Sequence, residues 1–235
     1  MISKLNLKLF FLFLVISRFA AANELNQGDS LFVSQKYTEA LDVYQELFDT
    51  DRYTYSMLLK MAFINDGLGN YPQALYYLDL YYKKTADRSV VAKINEISEE
   101  NSLSGYQYND THFFLALMEK YQAPFQLVLF SFILLLMAYA YRKRQKKEQA
   151  APAVVLQFVL VIVLLIVNNQ VFDSKQGIIG SDQTLLRSGP SAGAEPVEVL
   201  SRGHKVKVLE ELPVWTKIAW DDEEVYVRKG KVLII

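Results

Sequence analysis

Apolar residues are concentrated in three long blocks, and shorter periodic patterns fill the rest of the chain. The first block, residues 9–16, follows two lysines and precedes three consecutive alanines. A basic start, an apolar run and small residues at cleavage spacing predict a secretory signal peptide over 1–22. Arg18, late in the run, leaves an uncleaved anchor open as an alternative. Either version exports the residues that follow.

The other two blocks, 121–141 and 151–168, contain no charged residue. About 20 apolar helical residues cross a 30 Å hydrocarbon core, so these blocks predict two transmembrane helices. Two buried helices of a soluble core are the alternative, but such helices usually keep a polar face, which neither block has. The sequence therefore predicts a two-helix transmembrane hairpin.

A basic loop, 142–150, joins these two predicted helices. Short loops rich in Lys and Arg stay in the cytoplasm, which places both 23–120 and 169–235 on the outer side of the membrane. The same cluster is also compatible with a lipid or RNA patch, although the orientation of the hairpin already accounts for it. The topology-determining residues are Arg142, Lys143, Arg144, Lys146 and Lys147.

The outer segment 23–120 repeats itself with a shift of 34 residues. In this pattern the segment resembles the tetratricopeptide repeat (TPR) family, which implies an all-α stack of helix-turn-helix units. Small residues at the matched positions indicate close helix packing. Two repeats need capping helices, and 89–99 and 111–121 are predicted to supply them, the second with Asp110 as its N-cap. The matched pairs include Gly28 and Ala62, Tyr37 and Tyr71, Ala40 and Ala74, and Leu41 and Leu75.

The TPR resemblance implies a concave face that holds a peptide or a helix of a partner protein. The alternative is that the apolar members of this face simply pack against neighbouring helices. The early aromatic residue of the family is missing, since Glu24 and Leu58 stand there. The two tyrosine pairs that start at Tyr76 and Tyr81 suggest either a stacking platform or a groove lining. The predicted concave-face residues are Leu25, Asp29, Phe32, Leu59, Phe63 and Asp66.

After a predicted linker, 169–180, the pattern changes to short runs that alternate apolar and polar residues. Period-two alternation between turn residues predicts five or six strands over 181–235, each with one buried face. The acidic run 221–224 is predicted to form a tight hairpin. Strands this short and numerous fit a small closed all-β barrel.

The residues of this segment resemble bacterial SH3 domains, most specifically in Leu186-Arg187-Ser188-Gly189-Pro190-Ser191. Members of that family often bind cell-wall peptides or partner proteins. The resemblance implies a cleft lined by Trp215, Trp220 and Tyr226, and the alternative is that these aromatic residues complete a small core.

Composition excludes several kinds of chemistry. The net charge of -1 gives no general attraction for nucleic acid, and the absence of Cys excludes disulfides, thiolate metal sites and thiol nucleophiles. The two histidines, His112 and His204, lie far apart in the sequence. No phosphate-binding loop or nucleophile motif occurs. We therefore expect no enzyme, no cofactor and no metal.

The order of signal, helical repeats, membrane hairpin and SH3-like segment resembles BatE-type proteins of the Bacteroides aerotolerance family. That resemblance implies a multi-pass protein of the bacterial inner membrane with both folded domains in the periplasm. It also implies partners among Bat-type von Willebrand factor A proteins. We expect a non-catalytic scaffold or adaptor, and the alternative is a sensor that binds peptidoglycan through the SH3-like domain.

Overall fold

The computed structural model describes residues 24–147, 149–168 and 175–235. The predicted signal peptide, 1–22, and the first half of the predicted linker, 169–174, lie outside the described residues. Within the described parts, the chain forms a helical region, two long apolar helices and an antiparallel sheet. The predicted order of an all-α segment, an apolar helical segment and an all-β segment is thus confirmed at this coarse level.

Five described helices form the helical region that precedes the apolar segment. Helices α2 and α4 begin at Tyr37 and Tyr71, which are the matched residues of the 34-residue pattern. Pro72 lies in the first turn of α4, where its missing N–H is harmless. The bounds are α1 (24–33), α2 (Tyr37–Asp49), α3 (Tyr55–Gly67), α4 (Tyr71–Thr85) and α5 (Ser89–Glu100).

Small residues permit the close helix packing that the repeat pattern predicts. A Cβ atom on Gly28 would lie 2.6 Å from the Tyr44 ring, so α1 approaches α2 only because this residue is glycine. Ala40 and Ala74, at matched positions, are fully buried. The large buried side chains of this core are Tyr44, Leu47, Met57, Leu58, Met61, Leu75, Ile94 and Ile97.

Helix α6 (Asp110–Gln145) belongs to the helical region and to the apolar segment at once. Its first turns pack Phe113, Ala116 and Leu117 against the helical core, and the helix continues without a break to Gln145. At 1.5 Å per residue it is about 54 Å long. The predicted N-cap, Asp110, is wrong by one residue: the Asn109 side chain accepts a hydrogen bond from the His112 N–H, at 3.0 Å.

Only α6 is long and apolar enough to cross a membrane, among the residues that the structure describes. Helix α7 (Ala151–Asn168) packs against α6, but its described apolar part, Ala151–Leu165, is shorter than a full span. The prediction of two spans is therefore supported for one helix. Exposed apolar side chains cover both helices, including Phe125, Leu127, Phe130, Leu135, Val155, Phe158 and Leu165.

Seven strands of the described residues form one antiparallel sheet in the order β3-β2-β6-β5-β4-β1-β7. The predicted hairpin at 221–224 is present, since Trp220 pairs with Glu223 across a turn in which Asp221 and Asp222 both have positive φ. The strands are β1 (Gln176–Ile179), β2 (Thr184–Arg187), β3 (Pro196–Leu200), β4 (Lys205–Glu211), β5 (Trp215–Trp220), β6 (Glu223–Arg228) and β7 (Val232–Ile234).

The sheet differs from the prediction in two respects. Strand β1 lies inside the predicted linker, 169–180, and adds a strand to the expected set. The described strands β3 and β7 form the two edges of the sheet and do not pair with each other, so the ladder does not close as predicted. The side chains of Leu233 in β7 and of Ile235, which follows it, pack against the helical core, so β7 lies beside the helices and not beside β3.

Candidate functional site

The sheet and the helical region share one apolar interface. Ile178 from β1 is fully buried and belongs to the core of the helical region, as do the partly buried side chains of Leu233 and Ile235. The neighbouring sheet residues Ile179 and Val232 belong instead to the core of the sheet. One face of β1 and β7 thus packs into the core of the helical region, and the other face packs into the core of the sheet. We call the contact between the sheet and the helical region the junction.

A buried ion pair lies at the centre of the junction. Lys205, at the start of β4, donates a hydrogen bond to Asp79 of α4 at 2.9 Å, and their side chains are only 7% and 3% exposed. Tyr108 donates a hydrogen bond to the same carboxylate oxygen of Asp79. The Lys205 ammonium lies 4.7 Å from the centre of the Tyr108 ring. Because burying two charges is costly, such a pair is stable only with these added contacts.

The loop 101–109 supplies further hydrogen bonds across the junction. Tyr106 donates from its hydroxyl to the Gly203 carbonyl at 2.6 Å, and burial raises the pKa of this phenol well above its usual range. The Lys205 N–H donates to the Ser104 carbonyl at 3.0 Å. Gly105 has a φ of +95°, and a Cβ atom there would lie 2.2 Å from the Lys205 carbonyl oxygen. This glycine is therefore required for the close approach of the two backbones.

Both histidines of the chain lie at this junction. Nδ1 of His204 accepts a hydrogen bond from the Ser104 N–H at 3.1 Å, and Nε2 lies 3.1 Å from the Ser201 hydroxyl. The ring is stacked edge-on against Trp220. Burial lowers the pKa of His204, although the charge of Glu198 opposes the shift. Burial lowers the pKa of His112 as well, with a further contribution from the charge of Lys205.

We expect acidification to weaken the folded state through these two histidines. Their folded pKa values lie below the ordinary value of 6.5, so the unfolded chain takes up protons first as the pH falls. Stability is therefore fully present above about pH 6.5 and is lost as the pH falls toward the folded pKa values, by up to about 1.4 kcal/mol per pH unit for each histidine. Denaturant unfolding between pH 7.5 and pH 5 measures this slope.

Some carboxylates also have lowered pKa values, among them Asp29, Asp87 and Glu211, but their ordinary values are already 3.8 to 4.5. These groups therefore take up protons below this pH range and do not produce the slope. A variant that combines His112→Gln and His204→Gln should lose most of the slope. An unchanged slope in that variant would contradict the assignment.

A cleft of about 660 Å³ opens beside the junction. Helices α2 and α4 line one side of it with Phe48, Tyr76, Tyr77 and two glutamines, and the end of the sheet lines the other. Tyr77 donates a hydrogen bond to Gln45 at 2.8 Å, which ties α4 to α2. Of the two tyrosine pairs that the sequence singled out, the first pair thus faces this cleft.

The predicted concave face is partly assembled. Asp29 accepts hydrogen bonds of 2.6 Å from both Tyr44 and Lys60. Burial raises the pKa of Asp29, but these two hydrogen bonds and the charge of Lys60 outweigh it and lower the pKa overall. The rings of Phe32 and Phe63 lie 5.8 Å apart, and Tyr37 contacts both. We call the Phe32, Tyr37 and Phe63 rings the aromatic triangle. The Phe63 residue is 58% exposed.

The remaining three residues of the predicted face lie outside the aromatic triangle. Leu25 and Leu59 pack against the helical core, and so does Phe32 of the triangle; this is the alternative that the sequence left open for the apolar positions. Asp66 forms an ion pair of 2.9 Å with Lys93 of α5 and so joins two helices.

The three aromatic residues predicted to line an SH3 cleft lie on two different faces of the sheet. Trp215 and Lys217 alternate with the buried Thr216 and Ile218, so they point outward. Tyr226 pairs with Lys217 across β5 and β6 and shares this outer face. Trp220 points to the opposite face, where it packs on the sheet core and donates a 2.7 Å hydrogen bond to Glu198. A single cleft formed by all three is therefore wrong.

The sequence did not indicate the junction residues Asp79, Tyr106, Tyr108 and Lys205. Lys205 begins an alternating strand, and on a half-buried strand a lysine is expected on the wet face. A weak signal was available in Asp79, a lone acid among apolar and aromatic residues of α4. Among the described residues, no group of three or more histidine or acidic side chains is placed to hold a metal ion.

Comparison with known proteins assigns one part of the chain. Residues 183–232 match the bacterial SH3 domain family, which confirms the resemblance stated for the carboxyl-terminal segment. The match runs from the residue before β2 to the first residue of β7 and so leaves the helical region unassigned. No curated protein and no solved structure matches the chain significantly.

Proposed function

We propose that this protein is a non-catalytic, membrane-anchored scaffold that holds partner proteins at a fixed position above the bilayer. One observation carries the proposal: α6 is part of the helical core at its start and is an apolar, exposed helix further on. No flexible linker separates the two parts. The buried ion pair of the junction then joins the bacterial SH3 domain to the same unit.

The proposed topology places the helical region and the SH3 domain together in the bacterial periplasm. The basic residues Arg142, Lys143 and Arg144 end α6 and favour a cytoplasmic turn. Helix α7 would return across the membrane; its 18 residues are about 27 Å long, close to the thickness of the hydrocarbon core. The overall order still resembles BatE-type proteins, and Bat-type von Willebrand factor A proteins are the partners that we propose.

The aromatic triangle is the proposed partner-binding surface of the helical region. It combines three rings with the ammonium of Lys60, which lies 5.7 Å from the Phe32 ring. Aromatic residues are enriched at the energetically important centres of protein interfaces. Asp29 fixes the Lys60 side chain beside these rings, so the surface is ordered before a partner arrives.

Changing both Phe32 and Phe63 to Asp should abolish co-purification of the partner proteins, because two charges would replace the centre of the apolar surface. The measurement is a pull-down of the tagged protein from its own membranes in mild detergent, with mass spectrometry. The matched control carries Val33→Asp and Leu68→Asp, which change two exposed apolar residues of the same helical region outside the triangle. Equal loss in both variants, or partners that persist in the first, would count against this surface.

A second candidate function is binding of cell-wall peptides by the SH3 domain. The observation that favours it is the outer face of the sheet, where Trp215 and Tyr226 flank Lys217 beside Arg187. Lys217 forms an ion pair with Glu224 on this face. Aromatic faces and cations together suit peptides with carboxylates. The variant Trp215→Ala with Tyr226→Ala should lose sedimentation with purified peptidoglycan sacculi, with wild-type protein as reference. Undiminished sedimentation of that variant would reject this candidate.

A further inference from the structure

The outer edge of β7 carries backbone groups that no described strand pairs with. The register pairs Val232 with Ile179 and Ile234 with Gly177. The flanking hydrogen bonds, from Gly180 N–H to the Lys231 carbonyl and from Ile235 N–H to the Gln176 carbonyl, show which residues bond to β1. Because antiparallel pairs alternate, the N–H and C=O groups of Val232 and Ile234 point away from β1. Within the described chain, no strand pairs with this edge.

This edge forms one wall of the 660 Å³ cleft described above. The opposite wall offers an apolar surface made by the Phe48, Tyr76 and Tyr77 rings, which contact one another. It also contains a polar group in need of a donor: Oε1 of Gln73 is buried and has no hydrogen-bond partner in the described structure. The cleft therefore combines unpaired backbone groups, a buried acceptor and aromatic faces.

The rim of the cleft is basic. The turn between β6 and β7 has the sequence Arg228-Lys229-Gly230-Lys231, and Lys229 and Gly230 line the cleft itself. No described acidic group lies within ion-pair distance of Lys229, although its charge helps to lower the pKa of Glu211, which pairs with Lys175. The cleft is also continuous with the junction, since Leu233 lines it and packs on the helical core.

We propose that the free edge of β7 and this cleft bind an extended, acidic peptide segment of a partner protein by strand addition. The backbone of the segment pairs with Val232 and Ile234, and one of its apolar side chains lies against Tyr76. An acidic side chain of the segment lies beside Lys229. This site is separate from the aromatic triangle, so peptide binding here can be tested independently of the function proposed above.

The test uses the full-length protein in detergent micelles and a defined probe. The probe is a blocked seven-residue peptide of alternating valine and threonine with a glutamate at each end; its counterpart carries lysine at each end. We expect the glutamate probe to slow amide exchange at Val232 and Ile234, because these N–H groups become paired. A probe N-methylated at alternate amides should not do so.

Charge variants separate specific binding from general attraction. Lys229→Glu should weaken binding of the glutamate probe by at least about threefold, as expected for loss of a partly exposed ion pair. The same change should strengthen binding of the lysine probe. Lys231→Glu, which changes the same net charge in the same turn outside the cleft lining, should leave both affinities nearly unchanged. Equal effects of the two variants, or unprotected amides at millimolar probe, would overturn the proposal.

Discussion

Replacing Lys205 by methionine should lower the free energy of unfolding by about 3–5 kcal/mol, the usual cost of breaking a buried ion pair from one side. The change leaves the Asp79 carboxylate without its counter-charge at 3% exposure, and one oxygen of that carboxylate already lacks a hydrogen-bond partner. Denaturant unfolding followed by tryptophan fluorescence measures the effect. Both tryptophans of the chain lie in β5, so the signal reports on the sheet.

The control is Lys207→Met, which removes the same charge two residues further along β4 at an exposed position. It should change stability by less than about 0.5 kcal/mol, as surface substitutions usually do. The double variant Lys205→Met with Asp79→Leu should recover most of the loss, because it leaves no buried charge. If Lys205→Met costs no more than Lys207→Met, the junction is not held by this pair.

Replacing Gly105 by alanine should cost about 2–5 kcal/mol. The left-handed φ of +95° is unfavourable for a residue with a side chain, by roughly 1–2 kcal/mol. The new Cβ would also lie 2.2 Å from a backbone oxygen of Lys205, which cannot move aside as a side chain can. Overpacking of this kind adds about 1–3 kcal/mol. The same fluorescence measurement applies.

Gly69→Ala is the matched control for this prediction. Gly69 has a φ of +72°, but a Cβ atom there would meet nothing within 4 Å. It should therefore show the backbone cost of roughly 1–2 kcal/mol alone. Gly105→Ala combined with Lys205→Met should cost less than the sum of the two, because both disrupt the same contact. Equal costs for Gly69→Ala and Gly105→Ala would contradict a tight approach at Lys205.

Periodicity along the sequence was enough to predict most of the elements, although it missed β1. The 34-residue pattern placed α2 and α4, and alternation placed the strands from β3 to β7. The sequence could not predict the junction, because its hydrogen bonds join residues that are far apart in the chain. Tyr106 contacts Gly203, 97 residues later, and Asp79 contacts Lys205, 126 residues later. Period-two alternation marks Val206 and Val208 as buried but gives no sign that Lys205 also meets a helix.

The predicted site residues also divide into those that the sequence could place and those that it could not. Phe32 in α1 and Phe63 in α3 were both placed on one predicted face, and the structure brings their rings to 5.8 Å. Trp215 and Trp220 are five residues apart on one strand, and an odd spacing places them on opposite faces. The sequence alone could have separated these two tryptophans. The pairing of Tyr226 with Lys217 required the register of the hairpin.

We infer that the helical region and the SH3 domain are held as one unit on α6. The chain has no cysteine, so Asp42→Cys on α2 and Glu210→Cys on β4 can be spin-labelled without other sites reacting. The distance between the two spin labels should be measured by pulsed electron paramagnetic resonance in lipid nanodiscs. We predict one narrow distance distribution that broadens when Lys205→Met is added. A distribution that is already broad, and that Lys205→Met leaves unchanged, would contradict the claim.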